Sequence, residues 1–359
     1  MMKAQLNKLR NKIDEVDSLL LGLLSRRGHL VKQVGQVKNK AGMAHYHVPE
    51  REALLIKKIL AKNPGPYDDD AIQSIFREII SASLALEAPL NVAYLGPEGT
   101  FTHQAALKQF GHSANLVPQE TIKQVFEEVN AGNVHYGLVP VENSTEGAVN
   151  VTLDLFMQFP LQISGELQIP IHHNLLSREK NLSKISKVYS HPQAISQCRI
   201  FLEKYLPHAK CVNMPSTASA AKLVQTEKNA AAIASITAAK NYALPILKKN
   251  IEDLVGNFTR FWVIGKLAPG STGDDKTSIV FSSKDEVGIL AKVLKVFADA
   301  KINLTKIESR PTRLARWEYV FFIDLDGHAS DKEVALALRK VEKMCHYLKI
   351  LGSYPQGIS

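Results

Sequence analysis

Residues 6–38 read LNKLRNKIDEVDSLLLGLLSRRGHLVKQVGQVK. Apolar side chains at Leu6, Leu9, Ile13, Val16, Leu20 and Leu23 recur every three or four positions. The stripe resumes at Leu30, Val34 and Val37, which predicts one long helix with a single apolar seam. The slot between Leu23 and Leu30 belongs to Arg27. A guanidinium cannot shed its charge, so burying it there unpaired is costly, and the seam predicts an anion facing it. A plain salt bridge or a snorkelling side chain would also satisfy it. Lys38 lies eleven residues on, about three turns, and projects from nearly the same face. Arg10 lies seventeen residues back, about 25 Å along the axis and roughly 100° around it. One small ligand cannot touch Arg10 and Arg27 from a single helix. If all three serve one anion site, Arg10 comes from a second copy lying antiparallel, and the segment predicts its own dimer.

Outward from this helix the chain falls into three segments. Residues 1–88 read as all helix, with further helices over 50–61 and 68–87 separated by NPGPYDDD, whose prolines and glycine break and whose aspartates suit a helix start. Three helices in so few residues enclose little core, which again favours oligomerisation. From Pro89 the texture alternates. Strand-like runs at LNVAYLGP, YGLVPVE, KVYSHP, AAIAS and RFWVIG are separated by helical stretches, the first of these entered through Thr100 or Thr102. This predicts an α/β architecture over 91–268 with a mostly parallel sheet. After the polar linker PGSTGDDK, residues 276–354 read β-α-β-β-α-β, the ferredoxin-like order.

Bulk properties narrow the function. At 359 residues with 45% hydrophobic and 22% charged residues, the chain fits a soluble globular protein of two to three domains. No apolar run reaches the ~18 residues of a membrane span, and the amino terminus is not a signal peptide. Cys198, Cys211 and Cys345 show no metal or disulfide spacing, which points to a reduced, cytoplasmic setting without a metal. The net charge of +9 fits nucleic acid or small anionic substrates, and the dispersed basic residues favour the latter. The chain carries no Walker A, GxGxxG or GxSxG motif, and GPEGT before a helix is a weak phosphate signal. No cofactor is expected.

In the first segment KLRNKID, SRRGHL, QVKNK, PERE and SASLALE together resemble the all-helical chorismate mutase family. The resemblance places chorismate ligands at Arg10, Arg27, Lys38, Arg51, Glu52, Ser83 and Glu87, with Lys38, Glu52 and Glu87 in catalytic roles. Arginines hold the two carboxylates in a compact reactive conformation, and Lys38 and Glu87 flank the ether oxygen, where negative charge grows. A glutamine often stands at the position of Glu87. A glutamate donates to an ether oxygen only when protonated, which predicts mutase activity rising toward acid pH. Val48, where some members have an acidic residue, receives no role.

In the middle segment polar residues gather at strand ends, where α/β folds place their ligands. Glu142, Asn143, Ser144 and Thr145 follow one strand, Ser190, His191 and Gln193 another, and Ser216 and Thr217 open an alanine-rich helix, Ser216 as its cap. His172 and His173 lack metal spacing and read as loop or packing residues. YLGPEGTF, VPVENSTEGAV, GELQIPIHHNLL, YSHPQAISQC, STASAA and GNFTRFWVIG, taken in order, strongly resemble prephenate dehydratase. The resemblance implies two α/β lobes around a cleft, like a periplasmic binding protein, with GNFTRFWVIG returning to the first lobe. It implies that Thr259 is required for dehydration, with Asn143, Ser190, Gln197 and Thr217 around the prephenate and Arg260 as carboxylate anchor. Threonine is a very weak acid, so Thr259 relays or orients a proton rather than supplying one unaided.

The last segment, with KIESRP, resembles the regulatory ACT domain. Glu308, Ser309, Arg310 and Pro311, with Val287, Gly288 and Ile289 at a helix start, are then the phenylalanine-responsive residues, set in sheets that pair between copies. The combined resemblance implies an enzyme of phenylalanine biosynthesis that takes chorismate to prephenate and prephenate to phenylpyruvate. It implies inhibition by phenylalanine and a homodimer or larger homo-oligomer, with no nucleic acid or membrane partner. The competing readings are a catalytically inactive amino-acid-sensing protein and an enzyme with one live site.

Overall fold

The structure is a computed structural model and describes residues 2–42, 47–283, 287–311 and 319–357. The expected strand start at Trp317 and helix start at Glu286 lie outside the described residues. The chain opens with three helices, α1 (Met2–Lys40), α2 (Pro49–Leu60) and α3 (Asp69–Glu87). The 39 residues of α1 make it about 58 Å long. Every residue from Met2 to Arg26 is exposed, the seam leucines included. Only the carboxyl-terminal half of α1 packs, with Gly35 buried where it crosses α3 at Glu87. Pro49 opens α2, where a helix needs no N–H, and Asp68 caps α3 by accepting from the Ala71 N–H at 2.7 Å.

Two lobes follow. The first runs β1 (Asn91–Leu95), α4 (Phe101–Phe110), β2 (Asn115–Gln119), α5 (Ile122–Ala131), β3 (Tyr136–Asn143), β4 (Gly147–Ala148), α6 (Asn150–Gln158) and β5 (Gln162–Pro170). The second runs β6 (Asn174–Leu176), β7 (Lys187–Ser190), α7 (Pro192–Gln197), α8 (Arg199–Tyr205), β8 (Lys210–Asn213), α9 (Thr217–Val224), β9 (Ala230–Ala234), α10 (Ile236–Asn241) and β10 (Ile246–Lys248). The chain then returns to the first lobe as β11 (Phe258–Gly265), as expected of GNFTRFWVIG. The sheet orders are β2-β1-β3-β11-β5, with β4 beside β3, and β10-β6-β9-β7-β8.

The expectation of mostly parallel sheets is corrected: both are mixed. In the first, β1 pairs parallel with β2 and β3, but β11 lies antiparallel between β3 and β5. In the second, β7 pairs parallel with β8 and β9, while β6 is antiparallel to β9 and β10. Strands that cross between lobes enter each sheet from the opposite end, and so run against their neighbours.

The final segment comprises β12 (Asp275–Ser283), α11 (Ile289–Asp299), β13 (Leu304–Pro311), β14 (Tyr319–Asp326), α12 (Lys332–Glu342) and β15 (Cys345–Pro355). Its antiparallel sheet has the order β13-β14-β12-β15, and a core of Phe281, Val293, Phe297, Leu325 and Leu338 joins it to its two helices. The opposite face is not free. Val280, Phe322, Leu351 and Tyr354 share one core with Val139, Phe156 and Trp262 of the first lobe. Gly352 lies over β5 so closely that a Cβ would stand 2.4 Å from the Ile163 carbonyl oxygen, so only glycine fits. This sheet is therefore built onto the first lobe by apolar burial, the dominant stabilising term in such a contact.

Candidate functional site

Two separate sites emerge. The first is a cavity of about 300 Å³ between α1, α2 and α3. Arg27, Lys38, Arg51, Glu52, Ser83 and Glu87 all line it, six of the seven residues expected there. The seventh, Arg10, is fully exposed on the free half of α1. Ser83 donates to the Ile79 carbonyl at 2.5 Å and accepts from Arg27 Nη1, which fixes the guanidinium over the cavity. Burial alone lowers the pKa of Arg27, so an anion in the cavity would relieve that strain on its charge. Lys38 Nζ donates to Glu87 Oε2 at 2.8 Å, which sets the two groups side by side on the cavity wall.

Glu52 is held from two sides. His47 Nε2 lies 2.9 Å from Glu52 Oε2, and Arg77 of α3 pairs with Oε1. Sequence reasoning passed over both partners, although Arg77 interrupts an apolar helical stretch much as Arg27 does. Burial foremost, then Arg77 and Lys38, lower the pKa of His47 to about 4 against the pull of Glu50. It is therefore neutral at pH 7. Because the carboxylate only accepts, Nε2 carries the proton. His47 also packs edge-on against Tyr136 of β3 at 5.1 Å, tying this cavity to the first lobe.

The second site lies where the lobes meet. Thr259 on β11 faces Asn143 on β3, and Asn143 Nδ2 donates to Thr259 Oγ1 at 2.8 Å. Asn143 Oδ1 accepts from the Thr145 N–H at 3.0 Å and its hydroxyl at 2.6 Å, so the amide cannot turn round. Gln197, at the end of α7 in the second lobe, donates to Thr145 Oγ1 at 3.3 Å. Gln197 Oε1 is 2.8 Å from His173 Nε2 and accepts from Asn257 at 3.3 Å. Thr259, Asn143 and Gln197 thus belong to one hydrogen-bonded chain that crosses between lobes. His173 is more than a packing residue. It is buried, its pKa is lowered by burial against the opposing effects of Gln197 and Glu252, and it steadies Gln197. Thr217 is buried at the start of α9, and Ser216 caps that helix by accepting from the Ser219 N–H at 2.9 Å, as expected. Thr100 likewise caps α4.

Two expectations need correction. Arg260 does not offer a carboxylate anchor to the cleft. It follows Thr259 on β11, and strand alternation turns it to the other face. There Nε donates to Glu166 at 2.7 Å, Nη1 to Asp324 at 2.5 Å and Nη2 to the Tyr354 hydroxyl at 3.1 Å. Burial alone would lower its pKa, but Tyr354, Asp324 and Glu166 outweigh that and raise it. Ser190 is fully buried, and its hydroxyl donates to the Ile233 carbonyl at 2.7 Å. Its proton ties β7 to β9 and is not presented to a ligand.

In the last segment, Glu308, Ser309, Arg310 and Pro311 lie along β13, the open edge of the sheet. Val287 and Gly288 are exposed just before α11, with Ile289 opening the helix. Arg310 turns toward the first lobe, donating to Asp154 at 2.8 Å and to the Asn150 carbonyl at 2.7 Å. No group of three or more candidate metal ligands occurs among the described residues, and none of their helices is long and apolar enough to cross a membrane.

Comparison with known proteins finds three family models matched in order along the chain. Residues 9–88 match the chorismate mutase type II family, residues 92–269 prephenate dehydratase and residues 277–343 the ACT domain. A bifunctional chorismate mutase/prephenate dehydratase of Aquifex aeolicus is 48% identical over 358 residues, covering 99% of this chain and 99% of its own length. One from Pseudomonas aeruginosa is 46% identical over 359 residues, covering 99% of this chain and 98% of its own length. Among solved structures, a prephenate dehydratase from Arthrobacter aurescens in complex with L-Phe is 36% identical. It superposes with a TM-score of 0.68, covering 74% of this chain and 90% of its own.

Proposed function

The chain belongs to the family of bifunctional chorismate mutase/prephenate dehydratases, and from that premise we propose how its residues divide the two reactions. It is a mutase and a dehydratase of phenylalanine biosynthesis in one polypeptide, regulated by phenylalanine through its ACT domain. The boundaries 1–88, 91–268 and 276–354 belong to our reading, supported by the breaks in secondary structure after Glu87 and after Gly265. A cytoplasmic setting belongs to it as well, resting on three free cysteines.

The single observation that carries the mutase assignment is the cavity shared by Arg27, Lys38, Arg51, Glu52, Ser83 and Glu87, with Arg10 left outside it. Chorismate is a dicarboxylate, and its rearrangement needs no acid, base or covalent intermediate. Arg27 and Arg51 bind carboxylate, and Arg10 reaches the site from a second copy whose α1 lies antiparallel. That pairing also covers Leu6, Leu9, Ile13, Val16 and Leu20, each about half exposed in the single chain. A monomeric protein seldom leaves an apolar stripe of that length in water. Substrate entry opens the Lys38–Glu87 pair, after which Lys38 can donate to the ether oxygen as charge builds on it, and Glu87 can do so only as the protonated acid.

In dehydration, Asn143 donates to Thr259 Oγ1 and thereby leaves the threonine's own proton free to point at the departing ring hydroxyl. Gln197 and Thr145 hold that orientation across the cleft. The buried setting suits loss of a carboxylate as carbon dioxide. The open edge of β13 suits pairing of ACT sheets between copies, with Val287–Ile289 and Glu308–Pro311 around phenylalanine. An inactive sensor has no use for both a Thr259–Asn143 pair and a cavity lined by Arg27, Lys38 and Arg51. Purified protein given chorismate should yield prephenate and then phenylpyruvate. Absence of both products would leave the sensing role alone.

A further inference from the structure

Two adjacent rungs of the β3–β11 ladder carry different chemistry. Thr259 faces Asn143 in one and Arg260 faces Glu142 in the next. Because side chains alternate along a strand, the second pair points away from the first, toward the ACT sheet. Arg260, Glu166 and Glu142 on that side each meet a residue of the ACT domain. Arg260 is held by Asp324 of β14 and Tyr354 of β15, and Lys276 of β12 pairs at 2.6 Å with Glu166, which also binds Arg260. Glu142 Oε2 lies 2.8 Å from Nζ of Lys306 on β13. Farther along the same face of β13 comes Arg310, bound to Asp154 of α6. One edge strand therefore carries both the phenylalanine-responsive residues and the lysine that grips the neighbour of Asn143.

We propose that the Lys306–Glu142 ion pair, backed by Arg260–Asp324, is a positioning device for the Thr259–Asn143 hydrogen bond, and that β13 controls the dehydratase centre through it. The inference rests on the reading of Thr259 given above. Glu142 and Asn143 are consecutive on one strand, so a displacement of the carboxylate shifts the amide beside it. Reacting groups tolerate little of this: a misplacement of about 1 Å costs on the order of 100-fold in rate. The Arg260 cluster is buried and balanced, with two cations against two carboxylates. Glu142 is 36% exposed at the rim of this cluster, so Lys306→Met breaks the pair and leaves only a partly exposed carboxylate, whereas Glu142→Gln leaves Lys306 Nζ buried without its counter-ion.

The test uses the full-length enzyme with supplied prephenate, and the mutase rate of the same chain reports on folding. Lys306→Met and Glu142→Gln should each lower the dehydratase kcat about tenfold with KM near wild type, and raise the phenylalanine concentration for half-inhibition by a similar factor. Mutase turnover should stay unchanged, and the exchange Glu142→Lys with Lys306→Glu should restore most of the lost kcat. Single variants with wild-type kcat and inhibition would overturn the proposal, as would a loss shared equally by both activities. Thr259→Ala is measured in parallel. If it still dehydrates, the underlying reading of Thr259 falls; if it is inactive while Lys306→Met behaves as wild type, only the present inference falls.

Discussion

Asn143 Nδ2 donates to Thr259 Oγ1 at 2.8 Å from the rung directly opposite, while Thr145 occupies the other end of the same amide. The amide therefore has one orientation, with its NH2 on the Thr259 hydroxyl oxygen. Asn143→Ala should lower the dehydratase kcat by about 100-fold, with a smaller effect on KM. Thr259→Ser, which keeps the hydroxyl, should retain far more activity than Thr259→Ala. Steady-state kinetics on supplied prephenate decide it, and equal rates for the Ser and Ala variants would remove the hydroxyl from the mechanism.

The position of Arg10 makes a prediction about shared sites. Arg10→Ala and Lys38→Ala should each be inactive as mutases and remain competent dehydratases. Unfolded together and refolded, they should recover about a quarter of wild-type mutase activity, since half the dimers are mixed and each mixed dimer has one intact site. No recovery in verified mixed dimers would place Arg10 and Lys38 on the same chain's site.

How much of this was legible in the sequence depended on range. Arg27 stood out because the period of α1 is local, and the distance from Arg10 to Arg27 follows from helix geometry alone. The Ser216 and Thr100 caps are local too. Arg260 was misplaced because a motif gives adjacency to Thr259 but not the face of a strand. Its true partner, Asp324, is 64 residues away in another domain. His173 looked like packing because Gln197 lies 24 residues on, across an element boundary. The antiparallel entry of β11 depends on two crossings between lobes, a long-range pairing that no window of residues contains.

Arg260 is a buried cation, and its removal would strand Asp324 in the shared core and leave Glu166 with Lys276 as its counter-ion. Arg260→Ala should destabilise the dehydratase–ACT unit by about 3–5 kcal/mol. Urea unfolding followed through Trp262, which packs 5.5 Å from the guanidinium, would report it. A cost below about 1 kcal/mol, the range of exposed ion pairs, would mean the cluster is not desolvated in solution.

Glu87 bears on the mutase step as a neighbour of the ether oxygen. It accepts from Lys38, and an ionised carboxylate cannot donate to an ether oxygen. Glu87→Gln, whose amide can donate, should keep or raise the mutase kcat, whereas Glu87→Ala should lower it about 100-fold. Equal rates for the Gln and Ala variants would remove Glu87 from the role of donor.

His47 sets a limit on stability on the acid side. Its pKa falls from the ordinary 6.5 to about 4 in the folded protein, chiefly because it is buried between Glu52, Arg77 and Tyr136. Between these values the unfolded chain binds a proton that the folded chain refuses, so stability rises with pH across the window. The contribution is complete above pH 6.5 and is lost progressively as pH falls toward 4, amounting to about 3 kcal/mol. His47→Asn cannot titrate there and should lose its share of the acid sensitivity. Melting temperatures of wild type and variant, taken at intervals from pH 7.5 to pH 5, should therefore diverge at high pH and converge at low pH. Parallel curves would show that another group carries the acid limit.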